Sequence, residues 1–219
     1  MAEKSRRDLL TLLGAGGAAA VLAGSGGVVA RAAAAPGDSS RQKTQARYLP
    51  NVELTTHEGK KVRFYDDLVK DKIVIINFMY AQCEGICPAI TANLLRVQKL
   101  LGDRVGRDIF MYSITLTPEK DTPAALKHYV QMHKVKPGWT YLTGKPADIE
   151  SLRLKLGFST SNKELDKDRT NHIGMVKYGN EARQWWAMMP GKATPEWMVE
   201  SIGWMDGPKR RQPKADAKS

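Results

Sequence analysis

"KIVIINFMYAQCEGICPAITANLLRVQKLLG" occupies residues 72–102 and decides the fold. Its first nine residues form a continuous β-branched and aromatic run, the pattern of a strand buried on both faces. After Pro88 the spacing changes. Ile90, Leu94, Val97 and Leu101 fall on one face of a helix, and Gly102 stands where that helix should stop. The strand passes into the helix through CEGIC, residues 83–87, which holds Cys83 and Cys87, the two cysteines of the chain.

Outward from this unit the periodicity gives an order of elements. "VELTTHEGKKVRFYDDL" (52–68) alternates around His57–Glu58–Gly59 and reads as a β-hairpin. "DIFMYSITL" (108–116) is a second buried strand and runs into the loop "TPEKDTP". Then come a helix in "AALKHYVQMH", a strand in "WTYLTG" and a helix in "ADIESLRLKLG". A polar stretch, "STSNKELDKDRTN", leads to two strands, "HIGMVKYGN" and "ARQWWAMMPG", with a turn expected at Gly179–Asn180. "TPEWMVESIGWM" closes as a helix with Thr194 at the N-cap and Pro195 at N1. Alternating strands and helices followed by a hairpin and a helix make an α/β sandwich. The cysteines lie where a thioredoxin-like fold places its active pair, so residues 48–206 are expected to form a thioredoxin-like domain with an N-terminal β-hairpin extension.

The N-terminus carries an export pattern. Arg6 and Arg7 precede a weakly apolar, Gly/Ala-rich stretch, and Ala32–Ala35 close it like a cleavage site. The adjacent arginines resemble the twin-arginine type, although Leu9 stands where that motif usually has phenylalanine. Residues 1–34 are therefore read as an export signal into the periplasm. Uncleaved, Leu9–Ala30 is long enough to act as a membrane anchor, but its glycines make it a poor span. Residues 35–47 are expected to be a flexible linker and 207–219 a basic disordered tail.

The full chain carries +11. Residues 1–34 remove four cations and two anions, which leaves about +9 for the remainder. The lysines are spread among acids and no aromatic–basic motif stands out, so the charge reads as serving an acidic protein partner or plain solubility, and nucleic acid is not expected. Two cysteines in an exported domain of this length do not make a disulfide scaffold, and a disulfide closing so short a loop would add little stability.

Cysteines at i and i+4 of a helical turn face the same way and can close a disulfide or grip one metal ion. A helix N-terminus also favours the thiolate, and Cys87, just before Pro88, is best placed to benefit. A metal wants a further ligand. His57 reads as a solvated turn residue, and His128 and His133, five apart, point to different faces of their helix. His172 differs. It enters the strand "IGMVKY", at the place where a thioredoxin-like fold normally puts a proline facing the cysteine turn. Two thiolates and an imidazole would make a trigonal site suited to soft Cu(I).

The segment "INFMYAQCEGICPAI", the "TPEKDTP" loop and the late "NHIGMVKY" together resemble the Sco/SenC family of copper-delivery proteins, in the right order over roughly residues 50–205. That resemblance implies a thioredoxin fold, copper held by Cys83, Cys87 and His172, and donation to the dinuclear copper centre of a terminal oxidase or a related copper enzyme. It also implies an upstream copper donor or thiol reductant. Two positions depart from the family pattern. Asn171 precedes the histidine and Thr117 precedes Pro118, where family members usually carry aspartates.

Other candidates read as structural. Met188 and Met189 are adjacent in a strand, so they point to opposite faces and pack. Glu119 and Asp121 read as solvated loop charges. The chain is read as a metallochaperone rather than an enzyme. The rival is a thiol–disulfide oxidoreductase acting on the cysteines of a copper-site protein, with Cys83 and Cys87 as its redox disulfide. That activity usually expects C-x-x-C and an opposing proline, which this chain lacks. A thiol peroxidase would keep threonine or serine at position 80, which is Tyr80.

Overall fold

The computed structural model describes residues 36–82, 85–162, 164, 166 and 174–207. The chain divides into two units, Met1–Ala34 and Ala35–Ser219, and the described residues all belong to the second. Its strands are β1 (Glu53–Thr56), β2 (Lys61–Arg63), β3 (Ile73–Met79), β4 (Ile109–Thr115), β5 (Trp139–Gly144), β6 (Met175–Asn180) and β7 (Trp185–Pro190). Its helices are α1 (Pro36–Tyr48), α2 (Cys87–Leu101), α3 (Pro123–Met132), α4 (Pro146–Lys155) and α5 (Pro195–Gly203).

All seven strands form one sheet in the order β2-β1-β5-β4-β3-β6-β7. β3, β4 and β5 are parallel, and β6, β7 and the β1–β2 hairpin add antiparallel edges. β3 shows why its sequence is apolar throughout. Val74, Ile76 and Phe78 pack into the core on one face, and Ile75 and Met79 into the core on the other. Helices α2, α3 and α5 cover the second of these faces. Leu94, Val97, Leu126 and Ile202 are fully shielded there, each contributing roughly 2 kcal/mol by leaving water. α4 covers the other face through Ile149 and Leu152, beside Phe64 and Leu68 from a π-helical turn after β2. One polar relay crosses the core: Trp139 Nε1–H donates to Ser113 Oγ at 2.9 Å, and Ser113 donates to Asn77 at 2.7 Å. Ser113 thereby both accepts and donates inside the core.

Three local expectations need correction. Residues 36–47, expected to be a loose linker, lie in α1. Its sequence has no apolar face; charge holds it. Arg41 donates through Nε to Glu181 at 2.9 Å, through its terminal nitrogen to the second Glu181 oxygen, and to Asp71 at 2.6 Å. Second, Gly179 and Asn180 are strand residues, paired with Trp186 and Trp185, and the turn lies at Glu181–Gln184. A β-carbon at Gly179 would fall 2.4 Å from the Trp185 carbonyl oxygen, so close strand packing rather than a turn requires the glycine. Third, the hairpin ends at Arg63, and "FYDDLV" winds into the π-helical turn. Thr194 does sit at the N-cap of α5 ahead of Pro195, but no side-chain cap hydrogen bond forms there. Among the described residues no helix is long and apolar enough to cross a membrane. The export signal and basic tail lie outside them, apart from Gly207.

Candidate metal centre

The parallel strands β3 and β4 end together at Met79 and Thr115, and the cysteine turn leaves from this end of the sheet. Cys87 is the first residue of α2, with Pro88 at the start of the helix and no acid in the first turn. Its side chain is 2% exposed and packs among Met79, Ile90 and Met189 in the core. Cys83 and His172 lie outside the described residues, as does Asn171. The segments flanking them are described, and they meet. A β-carbon at Gly174 would lie 2.5 Å from the Ile86 side chain and 3.3 Å from that of Ile90. The backbone two residues after His172 thus packs against the residue just before Cys87. The Gly174 carbonyl accepts from Gly191 N–H at 2.8 Å, which ties this approach to the end of β7. Only a residue without a side chain allows so close a contact, and nothing in "NHIGMVKY" marks Gly174 as that residue before the fold is known.

Asp166, six residues before His172 in sequence, is anchored from α4. Arg153 donates to both oxygens of Asp166, at 2.8 and 2.7 Å, and Thr160 N–H adds a bond of 2.9 Å. The Arg153 guanidinium and the Thr160 amide hold the Asp166 carboxyl down at about 2.

Two of the other histidines have structural work. The His57 ring nitrogen Nδ1 accepts from the Tyr141 amide at 3.2 Å, and its own amide donates to the Tyr141 carbonyl at 2.9 Å. It is a bridge between the hairpin and β5, not the solvated turn residue expected. His128 is exposed, and His133 packs on Tyr129 with ring centroids 4.1 Å apart. Burial pushes the His133 imidazole down from its ordinary value. Met189 is fully buried in the α2-side core and Met188 packs on the opposite side, as the alternation of a strand requires. Among the described residues no three of His, Cys, Asp and Glu gather where they could hold a metal ion.

Glu119 is exposed, as a solvated loop charge should be. Asp121 is not. It is 2% exposed, and its carboxylate accepts from the Ala81 amide at 3.1 Å and from the hydroxyls of Thr115 and Thr117. The expectation failed because loop composition says nothing of burial. The available signal was a pair of hydroxyl residues, Thr115 and Thr117, framing the start of the same loop. On the surface of α2, Ala89 and Ala92 floor a shallow groove walled by Asn93, Arg96 and Lys192, two cations with no ion pair among the described residues.

Comparison with known proteins bears on the family and the fold. The SCO1 protein homolog of Bacillus subtilis is 29% identical over 117 residues, covering 52% of this chain and 59% of that protein. The protein sco1 of Schizosaccharomyces pombe is 25% identical over 122 residues, covering 55% and 44%. The chain thus spans only about half the length of these curated relatives. Among solved structures, Bradyrhizobium japonicum ScoI with copper bound superposes with a TM-score of 0.56 at 25% identity, covering 70% of this chain and 96% of that one. Yeast Sco1 with copper bound gives 0.55 at 21% identity, over 69% and 87%, and shares the fold. These neighbours are thioredoxin-like, and so is the mixed sheet described above. The SCO1/SenC profile matches residues 40–205, which is most of the chain and spans every strand as well as CEGIC and His172. The chain belongs to the SCO1/SenC family.

Proposed function

We propose that this protein is an exported copper chaperone that holds one Cu(I) ion through Cys83, Cys87 and His172. It delivers the ion to the dinuclear copper centre of a respiratory oxidase or a related copper enzyme. The observation that carries this reading is the packing of Gly174 against Ile86. Two segments nearly ninety residues apart in sequence touch beside Cys87, one leading from the histidine and the other into the second cysteine. Membership of the family and the copper-bound state of the Bradyrhizobium japonicum neighbour support the choice of metal. Thiolate and imidazole are ligands that suit Cu(I).

Copper is cargo here. It leaves by ligand exchange at unchanged oxidation state, as thiolates or imidazoles of the acceptor replace those of the donor. A Cys83–Cys87 disulfide would remove two ligands at once, so oxidation and copper binding exclude each other. The groove walled by Arg96 and Lys192, near the start of α2, favours an acceptor with an acidic face. The export pattern of residues 1–34 supports work in the periplasm.

A solved neighbour, BsSco, is described as having a disulfide switch, which keeps the thiol–disulfide reading as the rival. His172 separates the two. A thiol exchanger needs a nucleophilic thiolate and a leaving thiol but no imidazole, whereas a copper carrier needs its third ligand. His172→Ala should still cycle between dithiol and disulfide. It should lose Cu(I) to a chelator that the wild type resists, and leave the target enzyme without its copper centre. Normal copper retention and normal target assembly in that variant would transfer the assignment to the oxidoreductase.

A further inference from the structure

Beyond the Met79–Thr115 pair the two parallel strands part. Leu116 N–H still reaches the Met79 carbonyl at 2.8 Å. In a regular parallel ladder the next N–H from this strand would come from position 118. That residue is Pro118, which has none. At this fork a side chain takes over from the backbone. One oxygen of the buried Asp121 carboxylate accepts from Ala81 N–H at 3.1 Å, from the Thr117 hydroxyl at 3.2 Å and from the Thr115 hydroxyl. The loop is folded to deliver it: the amides of Lys120 and Asp121 both reach the Thr117 carbonyl at 2.9 Å, and Thr117 N–H reaches Thr115 Oγ1 at 3.0 Å.

Ala81 is two residues before Cys83. We propose that Asp121 is a positioning residue for the cysteine turn. Through the Ala81 amide it fixes the backbone from which the chain enters CEGIC, and so sets how well the Cys83/Cys87 pair retains a metal ion and exchanges with disulfides. Hydrogen bonds to a charged acceptor are the strong kind, and removing the acceptor leaves buried donors unmet. Thr117, which stands where family members usually carry an aspartate, here serves as a donor to Asp121. The metal half of the proposal rests on the copper reading above; the thiol half does not.

The test uses the full chain, reduced and handled without oxygen, with two chemical readouts and a stability readout. Cu(I) retention is measured against bathocuproine disulfonate, and the dithiol–disulfide equilibrium against glutathione. Asp121→Ala should weaken copper retention about tenfold and shift the thiol equilibrium at least threefold. Asp121→Asn keeps an acceptor for Ala81 N–H and should recover most of both. Arg41→Ala, which costs stability at the other end of β3, should leave both within twofold. If Asp121→Ala lowers the thermal midpoint but keeps both chemical readouts within twofold, Asp121 is merely structural and the proposal is overturned. Should Asp121→Ala not fold, Thr115→Val combined with Thr117→Val removes two donors with little change of shape and is judged by the same limits. A wild type that holds no Cu(I), with a shifted thiol equilibrium in Asp121→Ala, would sink the copper reading and leave the positioning role standing.

Discussion

Replacing Arg41 with alanine tests whether charge alone holds α1 to the domain. Glu181 is fully buried, and its carboxylate accepts from Arg41, from Tyr65 Oη–H at 2.9 Å, from Asp71 N–H at 2.9 Å and from Gln184 Nε2 at 3.1 Å. Burial pushes this carboxyl up, but the donors from Arg41, Asp71 and Tyr65 outweigh it and hold it below the ordinary carboxylate range. Removing one partner of a buried pair costs about 3–5 kcal/mol when no other group compensates. Glu181 keeps three donors, and the Arg41 side chain is 26% exposed, so the loss should fall to about 2–3 kcal/mol. For a unit of this size that is a drop of about 5–10 °C in thermal midpoint. The sign with pH follows from the depressed carboxyl. Its contribution is present above the unfolded carboxylate value and is lost as pH falls through the lower folded one. Without Arg41 burial dominates, so the variant's carboxyl takes up its proton at higher pH and the buried charge disappears. The gap between wild type and variant should therefore be widest near neutrality and shrink toward pH 4. Urea unfolding followed by tryptophan fluorescence at both pH values measures it. A difference below about 0.5 kcal/mol at pH 7, or one that widens in acid, would refute the reasoning.

The remaining expectations concern the approach to the site and the route of export. Gly174→Val should push Ile86 and Ile90 aside and speed loss of Cu(I) to a chelator, while circular dichroism stays unchanged; undiminished retention would count against the Gly174–Ile86 contact as a site determinant. Asp166→Asn should loosen its hold on α4, read as faster hydrogen exchange at the Thr160 amide, and should remove stability that the wild type itself loses only as pH falls toward 2. Replacing Arg6 and Arg7 with lysine should leave precursor in the cytoplasm on fractionation, and normal export would point to the general secretory route.

The β3–turn–α2 unit was legible because burial on two faces and a single apolar helix stripe leave different periods in the sequence. The same holds for β4, α3 and β5. What escaped was whatever depends on partners distant in sequence. α1 has no apolar period, and Arg41 is held by an acid 140 residues away. Glu181, in "GNEARQ", looks like any charged turn residue, and Asp121, in "TPEKDTP", like any loop acid. Both are buried because several donors converge on them, and convergence leaves no local trace. At the site, the place of Cys87 at the head of α2 was readable from Pro88 and the helix stripe. Cys83 and His172 rest on the sequence pattern and the family match, while the contact of Gly174 with Ile86 required the fold.

The Arg41 clamp also sets a standoff. Asp71 and Glu181 sit where β3 begins, since Glu181 N–H bonds to the Lys72 carbonyl and Ile73 pairs with Asn180. The cysteine turn leaves from where β3 ends, seven residues on, a separation of about 20 Å at the rise of a strand. Arg41 therefore ties α1 to the end of β3 remote from Cys87. Load applied through α1 thus enters β3 at its start, a full strand length from the turn that leads to Cys87, and the clamp and that turn are mechanically separate parts of one strand.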